Sequence, residues 1–358
     1  MDESITKIIE AGTLAPSGDN CQPWRFDFIK PNILKIHLLP EADKSLYNFK
    51  NRGSYIAHGA FIENMKIIAP SFGYELEVEL FPEEENELCT AQIRFVKNDT
   101  VVQNKMLESA LFERTTNRKP YKTTELSDEI TSQIQNSIAS FNSISLKFVV
   151  DRKKIKALAK HISLNEQLML ENKYIHDTLF NLVRWTETEE KKYKNGLYLK
   201  TLELSIPQQK AFSVFRRWSI LKFLNVVLRV SKLLPKASAK NYRSSGSICA
   251  FTINALTPKE YIIAGMAIER AWITAVSLGY AMQPITAIPY LAQRIIDNDA
   301  SKLSAYEQEK ILKSNNGIRS LFELSDSQSI AMILRIGKAE PSSARSSRIP
   351  LSEKITIK

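Results

Sequence analysis

Apolar residues at helical spacing (Ile5, Ile8, Ile9, Leu14) open the chain and run into Pro16-Ser17-Gly18-Asp19-Asn20, a cluster of turn formers that stops the helix. Pro23 then biases Gln22 toward extended backbone ahead of a strand from Trp24 to Ile29. Lys30-Pro31-Asn32 separates that strand from a second, Ile33 to Leu39, as in a hairpin. A helix over about Ser54 to Phe72 ends at Gly73. Tyr74 to Leu80 and Cys89 to Val96 then alternate apolar and polar residues, as strands with one wet face do. Further along, the pattern predicts helices near Val101 to Phe112, from Ser127-Asp128-Glu129 onward, and through Arg152 to Thr186, with a strand at Leu146 to Val150. A strand at Ser247 to Ile253 precedes a helix capped by Thr257 with Pro258 at its first position and Glu260 three residues after the cap. That helix runs to Leu278 before Gly279, and Ile330 to Ile336 reads as a closing apolar strand. Helices and strands in this order predict an α+β protein.

The order helix, glycine, strand occurs twice. With the terminal glycines in register, Ile56, Gly59, Ile62, Glu63, Ile67, Ala69, Ser71, Gly73 and Tyr74 fall on Ile262, Gly265, Ile268, Glu269, Ile273, Ala275, Ser277, Gly279 and Tyr280. These are nine identities in nineteen positions. Amphipathic helices share periodicity by chance, but a matched G-x-x-I-E and S-x-G-Y point to duplication of one α+β unit. The halves would be residues 1–100 and 101–358.

Composition changes this picture little. With 358 residues, 44% hydrophobic and 25% charged, the chain is ordinary globular material, and its acidic start shows no secretory leader. Three dispersed cysteines fit a reducing cytoplasm, and four histidines without ligand spacing give no metal site. The net charge of +10 is local, since between Glu203 and Glu260 there is no acidic residue and there are ten basic ones. That locality argues against a nucleic-acid partner for the chain as a whole.

No G-x-G-x-x-G or G-x-x-x-x-G-K-[ST] occurs, so a phosphate needs another cradle. Arg114-Thr115-Thr116-Asn117-Arg118 supplies one, with two guanidiniums four residues apart and hydroxyls between them, although a bare R-x-x-x-R is more often a solvated turn. The run A-P-S-x-x-N-x-Q-P-W-x-F, formed by Ala15 to Phe26, resembles the signature loop of the nitroreductase family of FMN-dependent flavoproteins. R-T-T-N-R-K-P-Y resembles that family's R-x-S-x-[RK]-x-[FY] segment. Gln283-Pro284-Ile285-Thr286-Ala287 resembles its P-I-x-G turn, with Ala287 for the usual Gly, and Arg335-Ile336-Gly337 its closing strand. Ser346-Ser347-Arg348-Ile349-Pro350 is similar to its K-x-R-x-P, with Ser346 where Lys is expected, so that Arg345 substitutes or the site is less positive.

The resemblance implies a nitroreductase-like α+β fold in which two fused halves form an intramolecular pseudo-dimer, as a monomer or a homodimer of such chains. It implies FMN as cofactor, NADH or NADPH as reductant and a small-molecule electron acceptor such as a nitroaromatic or quinone. Only the first half carries the signature loop and only the second carries the arginine segment, so one composite site per chain is implied. Pro16, Ser17, Gly18 and Asn20 would face Arg114, Thr116, Arg118, Pro284, Thr286, Ala287 and Arg348, with Thr286 and Ala287 near flavin N5. No acid/base triad is visible. The same resemblance extends to flavin-binding proteins of the Acg type, which implies the alternative of a flavin-holding protein with little turnover.

The stretch about Lys192 to Ser245 falls outside the resemblance. Within 205–243, Lys222, Asn225, Arg229 and Lys232 share one side of a helical wheel and leave Ile220, Leu221, Phe223, Leu224, Val226, Val227 and Leu228 on a wide apolar arc. An arc that wide is expected to be buried, as a lid over the flavin or an interface, ahead of a contact with a membrane surface.

Overall fold

A computed structural model describes residues 1–98 and 100–358. The chain begins with α1 (Glu3–Thr13), held at its start by the Asp2 carboxylate accepting from the Ser4 and Ile5 amides, and continues through β1 (Trp24–Ile29), β2 (Ile33–Leu38), α2 (Arg52–Ile68), β3 (Tyr74–Leu80) and β4 (Cys89–Lys97). Next come α3 (Lys105–Glu113), α4 (Asp128–Ser137), β5 (Ser145–Val149), α5 (Arg152–Ile162), α6 (Leu164–Glu171), α7 (Lys173–Leu182), β6 (Val183–Arg184), α8 (Glu187–Tyr193) and β7 (Leu197–Tyr198). The basic region forms α9 (Ile206–Phe215), α10 (Trp218–Leu228) and α11 (Val230–Arg243). The remainder is β8 (Ser247–Ile253), α12 (Pro258–Ser277), β9 (Ala281–Pro284), α13 (Ala287–Ile296), α14 (Ala305–Leu321), β10 (Ser329–Gly337) and β11 (Ile355–Ile357).

Two sheets result. One has the order β11-β1-β2-β4-β3, with β1, β2, β4 and β3 antiparallel and β11 parallel to β1, Phe26 opposite Ile355. The other is antiparallel, in the order β5-β8-β10-β9. α2 and α12 pack against each other between them, and both helices are buried along nearly their whole length.

The crossing of α2 and α12 is where the sequence repeat acquires a physical meaning. A Cβ on Gly59 would lie 2.0 Å from the Ile262 carbonyl oxygen, and one on Gly265 would lie 2.1 Å from that of Ile56. Since Ile56 and Ile262, like Gly59 and Gly265, are equivalent in the repeat, each helix presents the same patch to the other. This is the reciprocity of an isologous dimer contact, here inside one chain. Glycine at both positions lets the backbones touch. One turn on, the equivalent carboxylates Glu63 and Glu269 are fully buried, paired with Arg270 and Arg114 respectively.

Three features depart from the sequence reading. Residues 281–321, left unassigned there, hold β9, α13 and α14, the last started by a reciprocal Ser304–Glu307 cap. β11 returns the end of the second half to the sheet of the first, a pairing too short and too distant for periodicity to reveal. The basic region is three helices, broken at Arg216–Arg217 and at Arg229, which has a left-handed φ of 51°. Within this chain the apolar arc is left largely uncovered. Only Leu221 of α10 is fully buried, while Phe223, Val226, Val227 and Leu228 stand exposed.

Candidate functional site

The signature loop follows α1 and carries unusual backbone strain for its length. Asp19, Asn20 and Gln22 have φ of 44°, 59° and 49°, a conformation that costs free energy in residues with a Cβ and persists only where neighbours enforce it. The enforcing bonds are local and distant. Ser17 Oγ accepts from the Gln22 amide (2.9 Å), Asn20 Nδ2 donates to the Ser347 carbonyl (3.0 Å), and Gln22 Nε2 donates to the Lys194 carbonyl (2.8 Å) while its Oε1 accepts from the Ile349 amide (2.8 Å). Gly18 is exposed at the turn and Pro16 is half-buried.

Arg348 grips this loop from the C-terminal tail. Its guanidinium donates to the carbonyls of Thr13 (2.9 Å), Leu14 (3.0 Å) and Ala15 (3.3 Å) and to Asn20 Oδ1 (2.9 Å). Arg114 does the same from α3, donating to Leu14 O at 2.6 Å, with its Nε 2.8 Å from a Glu269 carboxylate oxygen and its plane over the Trp272 ring. Two cations thus sit on the last carbonyls of α1, where the helix dipole is negative. Arg345 donates to the carbonyl of Phe112 at the end of α3.

Arg118 is placed differently. It makes one side-chain hydrogen bond among the described residues, from Nη1 to the Thr201 carbonyl (3.1 Å), and its charge interacts with Asp19 and Tyr242. Burial lowers its pKa and the Asp19 charge pulls the other way. Thr116 pairs its backbone with Met282 of β9, and Asn117 donates from its amide to Met282 O (3.1 Å) and from Nδ2 to Glu340 O (2.8 Å). The arginine segment is therefore laid alongside β9, whose end carries Pro284. Thr286 Oγ1 is tied to the Ile333 amide (2.9 Å), leaving Ala287 as the first residue of α13. Arg335, fully buried, joins these parts by donating to Gln283 Oε1 (2.6 Å), Lys119 O (2.8 Å) and Asn241 O (3.2 Å) over the Tyr121 ring.

Gly18 lies close to Asp43, Asp19 interacts by charge with Arg118, and the arginine segment runs along β9, while Arg114 and Arg348 turn inward. The structure adds residues that the motifs did not single out. Asp43, Tyr47, Glu166 and Tyr242 complete the polar cluster, with Tyr47 Oη donating to Asn165 Oδ1 (2.8 Å) and Tyr242 Oη to Glu166 Oε1. Burial and the Asp43 charge raise the Asp19 carboxyl to about 6 against the opposing pull of Arg118, and burial raises Glu166 to about 7. Glu269 was visible in the repeat as one of its nine identities. Glu166 and Tyr47 lie in helical and loop sequence with no motif to mark them. Two surface hollows, of about 400 and 420 Å³, lie beside β5 and beside β11, and neither touches this cluster.

The stretch before α9 closes over the same place. Besides the bonds from Arg118 to Thr201 O and Gln22 to Lys194 O, Glu190 accepts from the Ser347 amide and Glu203 from Ser343. Residues 190–203 make these bonds, and α10 makes none of them.

No family model matches the chain. A curated relative, the uncharacterized protein MT1398 of Mycobacterium tuberculosis (strain CDC 1551 / Oshkosh), is 22% identical over 346 residues, 95% of this chain and 46% of that protein. "Putative NAD(P)H nitroreductase acg" of the same species is 26% identical over 191 residues, 52% of this chain and 56% of that protein. The chain spans about half the length of the curated relatives it matches. Among solved structures, the FMN and NADPH-dependent nitroreductase NfnB from a Sphigopyxis strain aligns with 70% of this chain and 97% of its own, at 16% identity and a TM-score of 0.39. The NfnB of Mycobacterium smegmatis aligns with 70% and 96%, at 13% and 0.39. The chain resembles the nitroreductase family in its sequence motifs, and the Acg protein matches half of it.

Proposed function

We propose that this chain is an FMN-binding oxidoreductase of nitroreductase type, built as two fused halves divided near residue 100, with one flavin site per chain and a cytoplasmic setting. The observation that supports this most directly is the junction of Asp19 and Arg118. A strained loop carries Asp19 into charge interaction with Arg118, whose Nε and Nη2 are not engaged elsewhere, in a segment laid along β9. A bound flavin would supply the hydride and electron chemistry, with NADH or NADPH as reductant and a small nitroaromatic- or quinone-like molecule as acceptor.

The protein's share is to hold and orient. Arg118 would meet the anionic phosphate, since its Nε and Nη2 are not engaged elsewhere. Arg114 and Arg348 would act one layer back, fixing the Leu14 and Ala15 carbonyls so that Pro16, Ser17, Gly18 and Asn20 keep their course. The Thr286 hydroxyl, fixed on Ile333, would orient the Ala287 amide, which as the first of a helix has no acceptor within it. Asp19 and Glu166 would oppose a dianion when ionised. Both are raised, so retention of FMN is expected to be stronger at pH 6.5 than at pH 8, where these carboxyls carry more negative charge.

The cover formed by 190–203 favours a second reading, a flavin-holding protein with little turnover, because it bonds to both Arg118 and the loop. Anaerobic addition of NADPH or NADH separates the two. Bleaching of the yellow protein within seconds supports the oxidoreductase; persistence of colour supports the holder. The site itself is tested by extraction. FMN at no more than one per chain is expected, with Arg118→Ala weakening retention about tenfold to a hundredfold and Lys210→Ala leaving it unchanged. Equal retention in both variants, or FAD in the extract, would refute the assignment.

A further inference from the structure

The unexplained feature is the corner between α10 and α11. Its inner side is anchored: Leu221 is buried, Asn225 Nδ2 donates to the Leu170 carbonyl (2.7 Å) and Asn225 Oδ1 accepts from the Ser231 amide (3.0 Å). With those contacts made, the outer side is left open by the described residues of this chain. Val226 is 76% exposed and Phe223 64%, with Val227, Leu228 and Leu233 also more than half exposed. Single exposed apolar residues are ordinary, but five together on one corner mark a contact surface. The nine Lys and Arg residues from Lys210 to Arg243 are all exposed, and no acidic residue lies among them.

Charge decides the occupant. A second copy of the chain meeting this corner in an isologous contact would set Lys222, Arg229, Lys232 and Lys236 against their own equivalents, which is repulsive. Folding of this face onto the flavin junction would break the anchors at Leu170 and Ser231. Nucleic acid would match the cations but leaves the Phe223–Leu228 tip unaccounted for. An anionic bilayer surface matches both, taking the apolar tip among its acyl chains and the flanking cations at its headgroups. No helix among the described residues is long and apolar enough to cross a membrane, and α10, at eleven residues, spans about 16 Å, so the element would lie on the surface.

We infer that the α10–α11 corner docks this protein on membranes rich in acidic phospholipid, through Phe223, Val226, Val227 and Leu228 flanked by Lys222, Arg229, Lys232 and Lys236. The inference does not depend on the flavin reading.

The test uses the full chain with vesicles of phosphatidylcholine alone and of phosphatidylcholine with about one third phosphatidylglycerol. Co-sedimentation is expected with the mixed vesicles and not the neutral ones, weakening as salt is raised. Lys222→Gln/Lys232→Gln/Lys236→Gln should lower affinity about a hundredfold. Phe223→Ser/Val226→Ser should lower it at least about tenfold with unchanged circular dichroism, because all these side chains are exposed. Phe223→Trp should give blue-shifted emission on the mixed vesicles, quenched by brominated lipid. Three results would overturn the proposal: failure to sediment with acidic vesicles, binding that the Ser variant retains in full, or light scattering that shows a dimer which the Ser variant abolishes. Duplex DNA bound with the same salt dependence and unaffected by the Ser variant would reassign the corner to nucleic acid.

Discussion

Arg114→Ala should destabilise the protein by about 3–5 kcal/mol, more than any other single change of charge in the chain, because it leaves the Glu269 carboxylate unpaired where no solvent reaches it. The variant should also shed flavin, since Leu14 O loses its donor, but the loss would follow the loop rather than a missing phosphate contact. The pH dependence identifies the cause. Burial raises the Glu269 carboxyl to about 7, with Arg114 pulling down and Glu63 pushing up. A carboxyl raised in the folded state stabilises it fully below its unfolded value near 4.5, and that stability is lost as pH rises through the folded value. Removing Arg114 raises the group further. The deficit of Arg114→Ala in urea melts should therefore be small at pH 5 and grow toward pH 8. Adding Glu269→Gln should flatten that trend and recover part of the loss. A deficit independent of pH would mean that the pair is not what Arg114 supports.

Gly59→Ala and Gly265→Ala should each lower stability by roughly 3 kcal/mol or more. The added methyl would overlap a backbone carbonyl, and backbone cannot rotate aside as a side chain can. Gly53→Ala, in the same helix, meets only the Asn48 side chain at 3.2 Å and should be near neutral, since the helix propensity gained offsets the small adjustment. Urea midpoints of the three variants test this. An unchanged midpoint for Gly59→Ala would show that the two helices do not meet in backbone contact at Gly59.

What could be read in the sequence was local. The strands at 24–29, 33–38, 74–80 and 247–253 and the helices of the repeat follow from alternation, periodicity and caps, all short-range signals. The equivalence of α2 and α12 was legible because the repeat wrote it twice, as G-x-x-I-E, whereas their crossing at Gly59 and Gly265 was not. The division of labour among the arginines was not. Arg114 and Arg118 stand in one motif four residues apart, yet one meets Glu269 and the other faces Asp19. Which partner each finds depends on α12 and on the signature loop, more than a hundred and nearly a hundred residues away respectively. The exposure of the apolar tip within the chain was not legible for a related reason. Periodicity shows that a helix is amphipathic, and it does not show which face the tertiary structure uses.

The return of β11 to the first sheet, together with the grip of Arg348 on the end of α1, has a bearing on how the molecule is made. During synthesis the first hundred residues leave the ribosome with the edge of β1 bare, the face of α2 uncovered and the carbonyls of Leu14 and Ala15 without cations. α12 arrives some two hundred residues after α2, and Arg348 and β11 later still. The β1 edge, the α2 face and the end of α1 stay uncovered until those elements emerge, so they are completed together with the distant parts of the chain rather than ahead of them.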